Sequence, residues 1–212
     1  MNNLIVHASS ASQLLTMPRS KKEVLSETAK TMVENTALKH LYDLRPSFES
    51  KYTIKGDEME AEAIELLNRE WGSDFVKNTE RIKSYRFSGE ADIVHGNTVI
   101  DIKCSWSAET FPWTEQAALK QVKKGGYEEQ VRTYMMLYDL NEAYVSFVLL
   151  STPANLLRKH EIGYHQVDHI PESKRLTSVR FDRDREWEDK ANAAWEVANQ
   201  YYLEFVEQLK MK

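Results

Sequence analysis

Hydrophobic positions along this chain recur at helical spacing in several long segments. Residues 21–43 and 57–71 carry apolar side chains three or four positions apart, and Gly72 supplies a stop after the second segment. A further helix is predicted at about 127–139, and the longest pattern covers 183–210. One stripe of this last segment carries Trp187, Ala191, Ala194, Ala198, Tyr201, Phe205 and Leu209. These patterns predict amphipathic helices.

Short apolar runs between the helices predict a group of strands. Runs rich in β-branched and aromatic residues fall at 82–87, 90–94, 98–104, 142–150 and 177–181. Residues 105–114 are predicted as loop, and the polar stretch 155–176 as irregular with one more strand near 161–166. The order of elements predicts an α/β (α+β) fold, with a central mixed β-sheet flanked by helices. No internal repeat or low-complexity linker is present, so we expect residues 1–212 to form a single domain.

Composition places the chain among ordinary soluble proteins. Hydrophobic residues make up 42% and charged residues 29% of the 212 positions. No apolar run approaches the roughly 18 residues of a membrane span, and the N-terminus turns polar soon after Leu4–Val6, so neither a membrane segment nor a secretory signal is expected. The single cysteine, Cys104, excludes an internal disulfide framework and favours a reducing, cytoplasmic setting.

Net charge argues weakly against one class of function. A formal charge of −5 does not suit an obligate nucleic-acid coat protein, which is usually basic. The same charge is compatible with an enzyme that has a local basic groove and an acidic metal site, because binding depends on where the charges lie.

The predicted hairpin at 90–104 contains an unusual placement of charge. If Gly96-Asn97 is a two-residue turn, strand pairing places Asp92 opposite Asp101 and Glu90 opposite Lys103. Cβ atoms of directly opposed residues lie roughly 4.5–5.5 Å apart, so two carboxylates would repel each other there without a cation.

Opposed carboxylates at this distance can hold one hard divalent cation, which prefers oxygen ligands. The backbone carbonyl of Ile102 is a further oxygen beside Asp92 and Asp101. Lys103 can orient or activate a metal-bound water and stabilise negative charge on a phosphoryl oxygen. The alternative interpretation is a solvated acidic hairpin face with a Glu90–Lys103 pair.

These residues resemble the PD-(D/E)XK nuclease superfamily, and within it the phage lambda exonuclease and RecB-type (YqaJ-like) nucleases. Asp92 matches the first acid of the motif, and Asp101-Ile102-Lys103 matches the (D/E)-x-K element. Residues 56–60 resemble the G-x-x-x-E of the preceding helix, and residues 130–134 the Q-x-x-x-Y motif. The similarity covers about residues 54 to 138 and implies a restriction-endonuclease-like core.

The resemblance also implies roles. Asp92, Asp101, the Ile102 carbonyl and Glu60 would hold Mg²⁺, for which Mn²⁺ can substitute, and Lys103 would activate the attacking water. Glu58 and Glu62 are rivals to Glu60 on more polar helix faces.

Two helical residues would complete the site in this interpretation. Gln130 and Tyr134 lie at i, i+4 and would position a DNA phosphate. The alternative for this pair is an amide at the edge of the core and a packed tyrosine.

The sequence departs from the family pattern at several positions. Ala91 replaces a proline before Asp92, and Asp101 stands where lambda-type enzymes usually carry Glu. Ala11-Ser12 resembles the Ala-Ser pair that opens the first helix of those enzymes, which makes Ser12 a candidate DNA contact. The arginine that they place a few residues earlier is missing, which leaves the polarity of digestion open; His7 and Arg19 are candidate substitutes.

Other candidate DNA contacts lie outside the motifs. Lys123 and Lys124, beside two glycines, can contact phosphates from a flexible loop or form a solvated charge pair. Trp106 and Trp113 can stack on a DNA end or pack against the sheet. No Gly-rich phosphate loop is present, so ATPase activity is not expected.

The function implied by the resemblance is Mg²⁺-dependent exonuclease digestion of duplex DNA ends, 5′-to-3′, in phage-type recombination or DNA repair. It also implies a homo-oligomer, a trimer in the lambda type, and a single-strand annealing protein as partner. One alternative keeps the site but makes the protein a structure- or sequence-specific endonuclease. Another is a non-catalytic DNA-binding or assembly module with a nuclease fold.

Overall fold

The described part of the chain contains seven α-helices. The computed structural model describes residues 3–44, 50–158 and 160–211. The α-helices in these ranges are α1 (Ala11–Leu14), α2 (Glu27–Tyr42), α3 (Lys51–Trp71), α4 (Glu115–Gly125), α5 (Tyr127–Tyr138), α6 (Ile162–His165) and α7 (Arg185–Lys210). None of these helices is long and apolar enough to cross a membrane.

Two helices begin at positions that differ from the hydrophobic pattern. Helix α2 starts six residues later than predicted, because the Ser26 hydroxyl accepts a hydrogen bond from Ala29 N at 3.0 Å and caps the first turn. Helix α3 starts six residues earlier than predicted, because Ser50 and Thr53 form a reciprocal capping box.

Within the described residues, the strands form a four-stranded and a three-stranded sheet. The strands are β1 (Val6–His7), β2 (Ile82–Lys83), β3 (Phe87–Gly89), β4 (Ile93–His95), β5 (Thr98–Ser105), β6 (Glu142–Leu149) and β7 (Leu176–Asp182). The larger sheet has the order β4-β5-β6-β7, with β5 and β6 parallel and both outer pairs antiparallel. The smaller sheet has the order β1-β3-β2. The mixed sheet predicted from the sequence is confirmed.

Three expectations about local structure are wrong. The strand predicted at 82–87 is two short strands, because Ser84 forms a turn in which its hydroxyl accepts hydrogen bonds from the backbone of Arg86 and Phe87. The strand near 161–166 is instead helix α6. Lys123 and Lys124 do not lie in a flexible loop but in the last turn of α4.

Apolar side chains cover both faces of the larger sheet. On one face, α4 and α5 pack around Val99, Val131 and Val145. On the other face, α3 contributes Ala63, Ile64, Leu66 and Leu67, which pack against Ile93, Ile100, Ile102 and Val148. A third cluster joins α2, α7 and the smaller sheet. Strand β5 is therefore enclosed between α3 and α5, and both helices can bring side chains to it.

Candidate active site

The hairpin that carries the acids has the predicted register. Ile93 pairs with Ile100, and His95 pairs with Thr98 on either side of the two-residue turn. Pairing stops at Ile93, and Asp92 bonds to the next strand through its side chain: Oδ2 accepts from Ile102 N at 2.6 Å. The Glu90–Lys103 pair of the alternative interpretation is not formed, because Glu90 pairs with Arg81 at 3.1 Å.

Asp101 is the centre of a buried polar network. Its side chain is almost fully buried, and Oδ1 accepts a hydrogen bond from Gln130 Nε2 at 3.0 Å. Oδ2 lies 2.7 Å from Lys103 Nζ in an ion pair, yet accepts no hydrogen bond of regular geometry from the described residues. The same Gln130 amide donates to the Tyr134 hydroxyl at 2.9 Å, and Lys103 Nζ lies 3.5 Å from Gln130 Oε1. Gln130 and Tyr134 therefore reach the site from α5, as their spacing predicts.

Charge in this cluster shifts the titration of its members. Burial and repulsion by Asp101 raise the pKa of the Asp92 carboxyl. Burial acts to lower the pKa of Lys103, but attraction to the Asp101 and Asp92 carboxylates raises it above the usual value. Burial also raises the pKa of the Tyr134 phenol. The lysine is thus an ammonium and the tyrosine a neutral hydroxyl at neutral pH.

Glu60 lies on the part of α3 that faces the hairpin. It forms an ion pair with Lys77, and its charge contributes to the raised pKa of Asp92. Glu58 and Glu62 are exposed, which agrees with the expectation that they are the solvent residues. Glu60 is therefore close to the cluster, but its carboxylate is already paired with the Lys77 ammonium.

The donor set at the edge of β5 suits a hard divalent cation. Asp92 and Asp101 offer carboxylate oxygens, and the N–H and C=O of a strand residue face the same neighbour, so the Ile102 carbonyl faces Asp92 as its N–H does. Asp101 Oδ2 is a buried oxygen with acceptor capacity left over. Within the described ranges, no group of three His, Cys, Asp or Glu side chains could hold one ion together. Glu60 would join the ligands only on release from Lys77.

A residue that the sequence did not single out holds the backbone beside Asp92. Asn78 N donates to the Asp92 carbonyl at 2.8 Å, and its side-chain amide donates to the Ala91 carbonyl at 2.9 Å. Ala91 N in turn donates to the Tyr138 hydroxyl at 3.4 Å, a bond that a proline at position 91 could not make. Its local bonds, to the backbone of Glu80, form an ordinary turn. No local pattern marks its role at Asp92, because the Ala91 and Asp92 carbonyls lie more than ten positions away.

The candidate phosphate contacts of the N-terminal helix and of α4 meet. Ser12, Lys123 and Lys124 line one concavity of about 370 Å³. Gly126 has a left-handed backbone (φ +69°) and lies so close to Ser12 that a Cβ there would be 2.3 Å from the hydroxyl. The structure thus groups these three side chains at the α4–α5 turn.

The two loop tryptophans have different environments. Trp106 packs edge-on against Tyr52 and His165, and Lys51 Nζ lies 4.5 Å from its ring centroid. Trp113 donates to the Ala108 carbonyl at 2.8 Å and remains 49% exposed. Packing therefore accounts for Trp106, while Trp113 keeps an accessible face.

The candidate substitutes for the missing arginine lie apart from the acids. His7 bonds to Ser88 through Nδ1 and lines a cleft of about 730 Å³ that also contains His40, Arg81 and Lys83. The lining of this cleft includes none of the acids or the lysine of the candidate active site. Arg19 is exposed and lines a different concavity.

Solved structures of known proteins share this fold. Comparison with protein-family models and with curated proteins found no match. A phage-related exonuclease from Haemophilus somnus 129PT is 34% identical, with a TM-score of 0.92 over 98% of this chain and 97% of that one. An alkaline exonuclease, LHK-Exo, from Laribacter hongkongensis shares the fold at 17% identity, with a TM-score of 0.70 over 98% of this chain and 92% of that one. The chain is a nuclease that belongs to the lambda-exonuclease-like (YqaJ-like) family of the PD-(D/E)XK superfamily.

Proposed function

We propose that this nuclease is a Mg²⁺-dependent exonuclease that hydrolyses duplex DNA from its ends. The observation that carries the proposal is the convergence of Asp92, Asp101 and Lys103 at one edge of β5, with Gln130 hydrogen-bonded to Asp101. Two relatives of the same fold are named exonucleases, and a solved structure of LHK-Exo contains dAMP.

The contacts of each side chain support a proposed role. Asp92, Asp101 and the Ile102 carbonyl would hold the cation, with Glu60 joining them, and a bound cation lowers the pKa of water and polarises a phosphoryl oxygen. The Lys103 ammonium orients the attacking water and stabilises negative charge that develops on the phosphate. Gln130 fixes the orientation of the Asp101 carboxylate, and the neutral Tyr134 hydroxyl supports that amide.

Linear and circular DNA together test this function. The substrates are linear duplexes labelled separately at the 5′ and 3′ ends, with and without a 5′ phosphate, and a covalently closed circle. With Mg²⁺ or Mn²⁺ we expect stepwise loss of the linear duplex from its 5′ ends and an intact circle. Lys103→Met, checked for folding by circular dichroism, should be inactive.

Other results would assign a different function. Cleavage of the closed circle would make the protein an endonuclease. A folded wild type that cleaves neither substrate with either cation would support a non-catalytic DNA-binding module. Full activity in Lys103→Met would contradict the proposed role of the lysine.

Assembly and biological role are proposed from the family. We expect a cytoplasmic homo-trimer that acts with a single-strand annealing protein in phage-type recombination or DNA repair. Light scattering of the purified chain would measure the oligomeric state, and co-purification with an annealing protein encoded nearby would test the partner. A monomer at micromolar concentration would contradict the trimer.

A further inference from the structure

Lys55 is a fully buried lysine whose ammonium is surrounded by oxygen atoms. Nζ donates to the carbonyls of Ser105 at 2.7 Å and Leu150 at 2.8 Å, and to the Thr152 hydroxyl at 2.8 Å. The Trp106 carbonyl lies at 3.2 Å. The side chain is 1% exposed, and none of these four partners is a carboxylate.

The four oxygens come from the ends of two parallel strands. Ser105 is the last residue of β5, two positions after Lys103, and Leu150 directly follows β6. Lys55 itself belongs to α3, five positions before Glu60. One ammonium therefore connects the helix that carries Glu60 with the end of the strand that carries Asp101 and Lys103.

Other polar groups reinforce this arrangement. The Thr152 hydroxyl donates to the Trp106 carbonyl at 2.9 Å, and His165 Nδ1 lies 3.0 Å from the same carbonyl. The neighbouring Cys104 does not supply a counter-charge, because burial raises the pKa of its thiol to about 11. Burial lowers the pKa of Lys55 to about 8. Among the described residues, the positive charge is thus balanced by the dipoles of carbonyls and a hydroxyl and not by a carboxylate.

A buried charge that has no carboxylate partner in the described part of the chain is not an arrangement that stability alone favours. Desolvation of an ion is costly, and apolar side chains often replace even a buried ion pair without loss of stability. This arrangement is distinctive in its geometry, because one small ammonium group holds four oxygen atoms around a single point. Three carbonyls and a hydroxyl at 2.7–3.2 Å form a cage that free ammonium can also fill.

We propose that Lys55 is a positioning residue of the active site, which holds α3 and the end of β5 so that Glu60, Asp101 and Lys103 keep their relative places. The assignment of these three as active-site residues rests on the proposed nuclease function. The connection that Lys55 makes between α3 and the strand ends does not depend on that function. The connection and the nuclease function can therefore be tested separately.

Lys55→Met with cation rescue tests the proposal. Loss of the ammonium should lower kcat by about 10- to 100-fold with KM for DNA unchanged, because a displacement near 1 Å has an effect of this size. Backbone amides of residues 101–108 should exchange hydrogen for deuterium faster than in the wild type, which mass spectrometry measures. Ammonium chloride should restore both readouts, whereas tetramethylammonium chloride at equal ionic strength should restore neither, because it is too large for the cage.

Lys51→Met is the matched control. Lys51 lies one turn earlier on α3, carries the same charge beside the same Trp106 ring, and makes none of the four oxygen contacts. Its loss should leave kcat and the exchange of residues 101–108 unchanged.

Three results would overturn the proposal: wild-type kcat in a folded Lys55→Met, unchanged exchange at residues 101–108, or equal rescue by both salts. If Lys55→Met does not fold, the Thr152→Val variant tests the proposal in its place. It removes one of the four oxygens, and a folded variant with unchanged kcat and exchange would also overturn the proposal. An inactive wild type whose exchange responds as expected in Lys55→Met would refute the nuclease function and leave the α3–β5 connection supported.

Discussion

The ring of Tyr134 packs directly against the backbone of Gly89. A Cβ at position 89 would lie 2.6 Å from Tyr134 Cε1 and 3.1 Å from the Ala8 Cβ. The Tyr134 hydroxyl accepts from Gln130, whose amide also donates to Asp101. Because Gly89 has no side chain, the Tyr134 ring can lie where its hydroxyl bonds to Gln130, the donor to the buried Asp101 carboxylate.

We expect Gly89→Ala to displace this ring and lower both stability and activity. Overpacking of this kind costs about 1–3 kcal/mol of unfolding free energy, measurable by urea denaturation. Gly163→Ala is the matched control, because a Cβ at position 163 meets nothing within 4 Å. Wild-type stability together with wild-type nuclease activity in Gly89→Ala would contradict the packing argument.

Gln130→Met should reduce activity more than Tyr134→Phe does. The first change leaves Asp101 Oδ1 without its donor, and loss of a hydrogen bond to a buried charge corresponds to about 10- to 100-fold in rate. The second change removes only the hydroxyl that accepts from the amide. Steady-state kcat values compare the two, and an equal loss in both variants would show that Gln130 does not act through Asp101.

The raised pKa of Asp92 predicts a pH-dependent stability in the absence of metal. Its pKa rises from 3.8 to about 7 in the folded protein, so the folded state holds a proton that the unfolded state releases. This contribution to stability is complete below about pH 4 and is lost as the pH rises through about 7.

Asp92→Asn removes this titration and isolates its effect. In EDTA, the unfolding free energy of the variant relative to wild type should increase by about 1–3 kcal/mol between pH 5 and pH 8. Urea unfolding at both pH values measures it. A difference that stays constant with pH would mean that Asp92 ionises normally in the folded protein.

Lys77→Met should strengthen Mg²⁺ binding. The Lys77 ammonium pairs with Glu60 and competes with a divalent cation for that carboxylate. Because Lys77 is half exposed, the expected gain is modest, about two- to fivefold. The midpoint of the Mg²⁺-induced shift in Tm measures it, with Lys83→Met as a control that removes a lysine not paired with Glu60. Weaker Mg²⁺ binding in Lys77→Met would contradict the competition.

Local periodicity accounts for the part of the candidate site's geometry that the sequence predicts. Alternation along β5 put Asp101 and Lys103 on one face, and the two-residue turn set the register that brings Asp92 to them. The i, i+4 spacing brought Gln130 and Tyr134 to one side of α5. In each of these relationships, the residues involved lie within about a dozen positions of one another in the sequence.

Contacts between distant segments account for what the sequence did not reveal. Asn78 holds the backbone of Asp92, and Lys55 bonds to carbonyls 50 and 95 positions away. The segment predicted as a strand near 161–166 is helical, and there Thr152 N donates to the His165 carbonyl across the loop. No pattern of local spacing encodes such partners, because they depend on how complete elements pack.

The tight turn at Gly96-Asn97 limits how this gene can vary in length. Asn97 Oδ1 accepts from both nitrogens of Asn141, so the turn is also fastened to the start of β6. Insertion of one codon within β5, between Thr98 and Asp101, would rotate every later side chain of the strand to the opposite face if the hairpin register were kept. Asp101 and Lys103 would then point into the apolar layer under α3, and Ile102 toward Gln130. Homologues that differ in length here are therefore expected to carry the extra residues in the turn or before Ile93, and not within Thr98–Asp101.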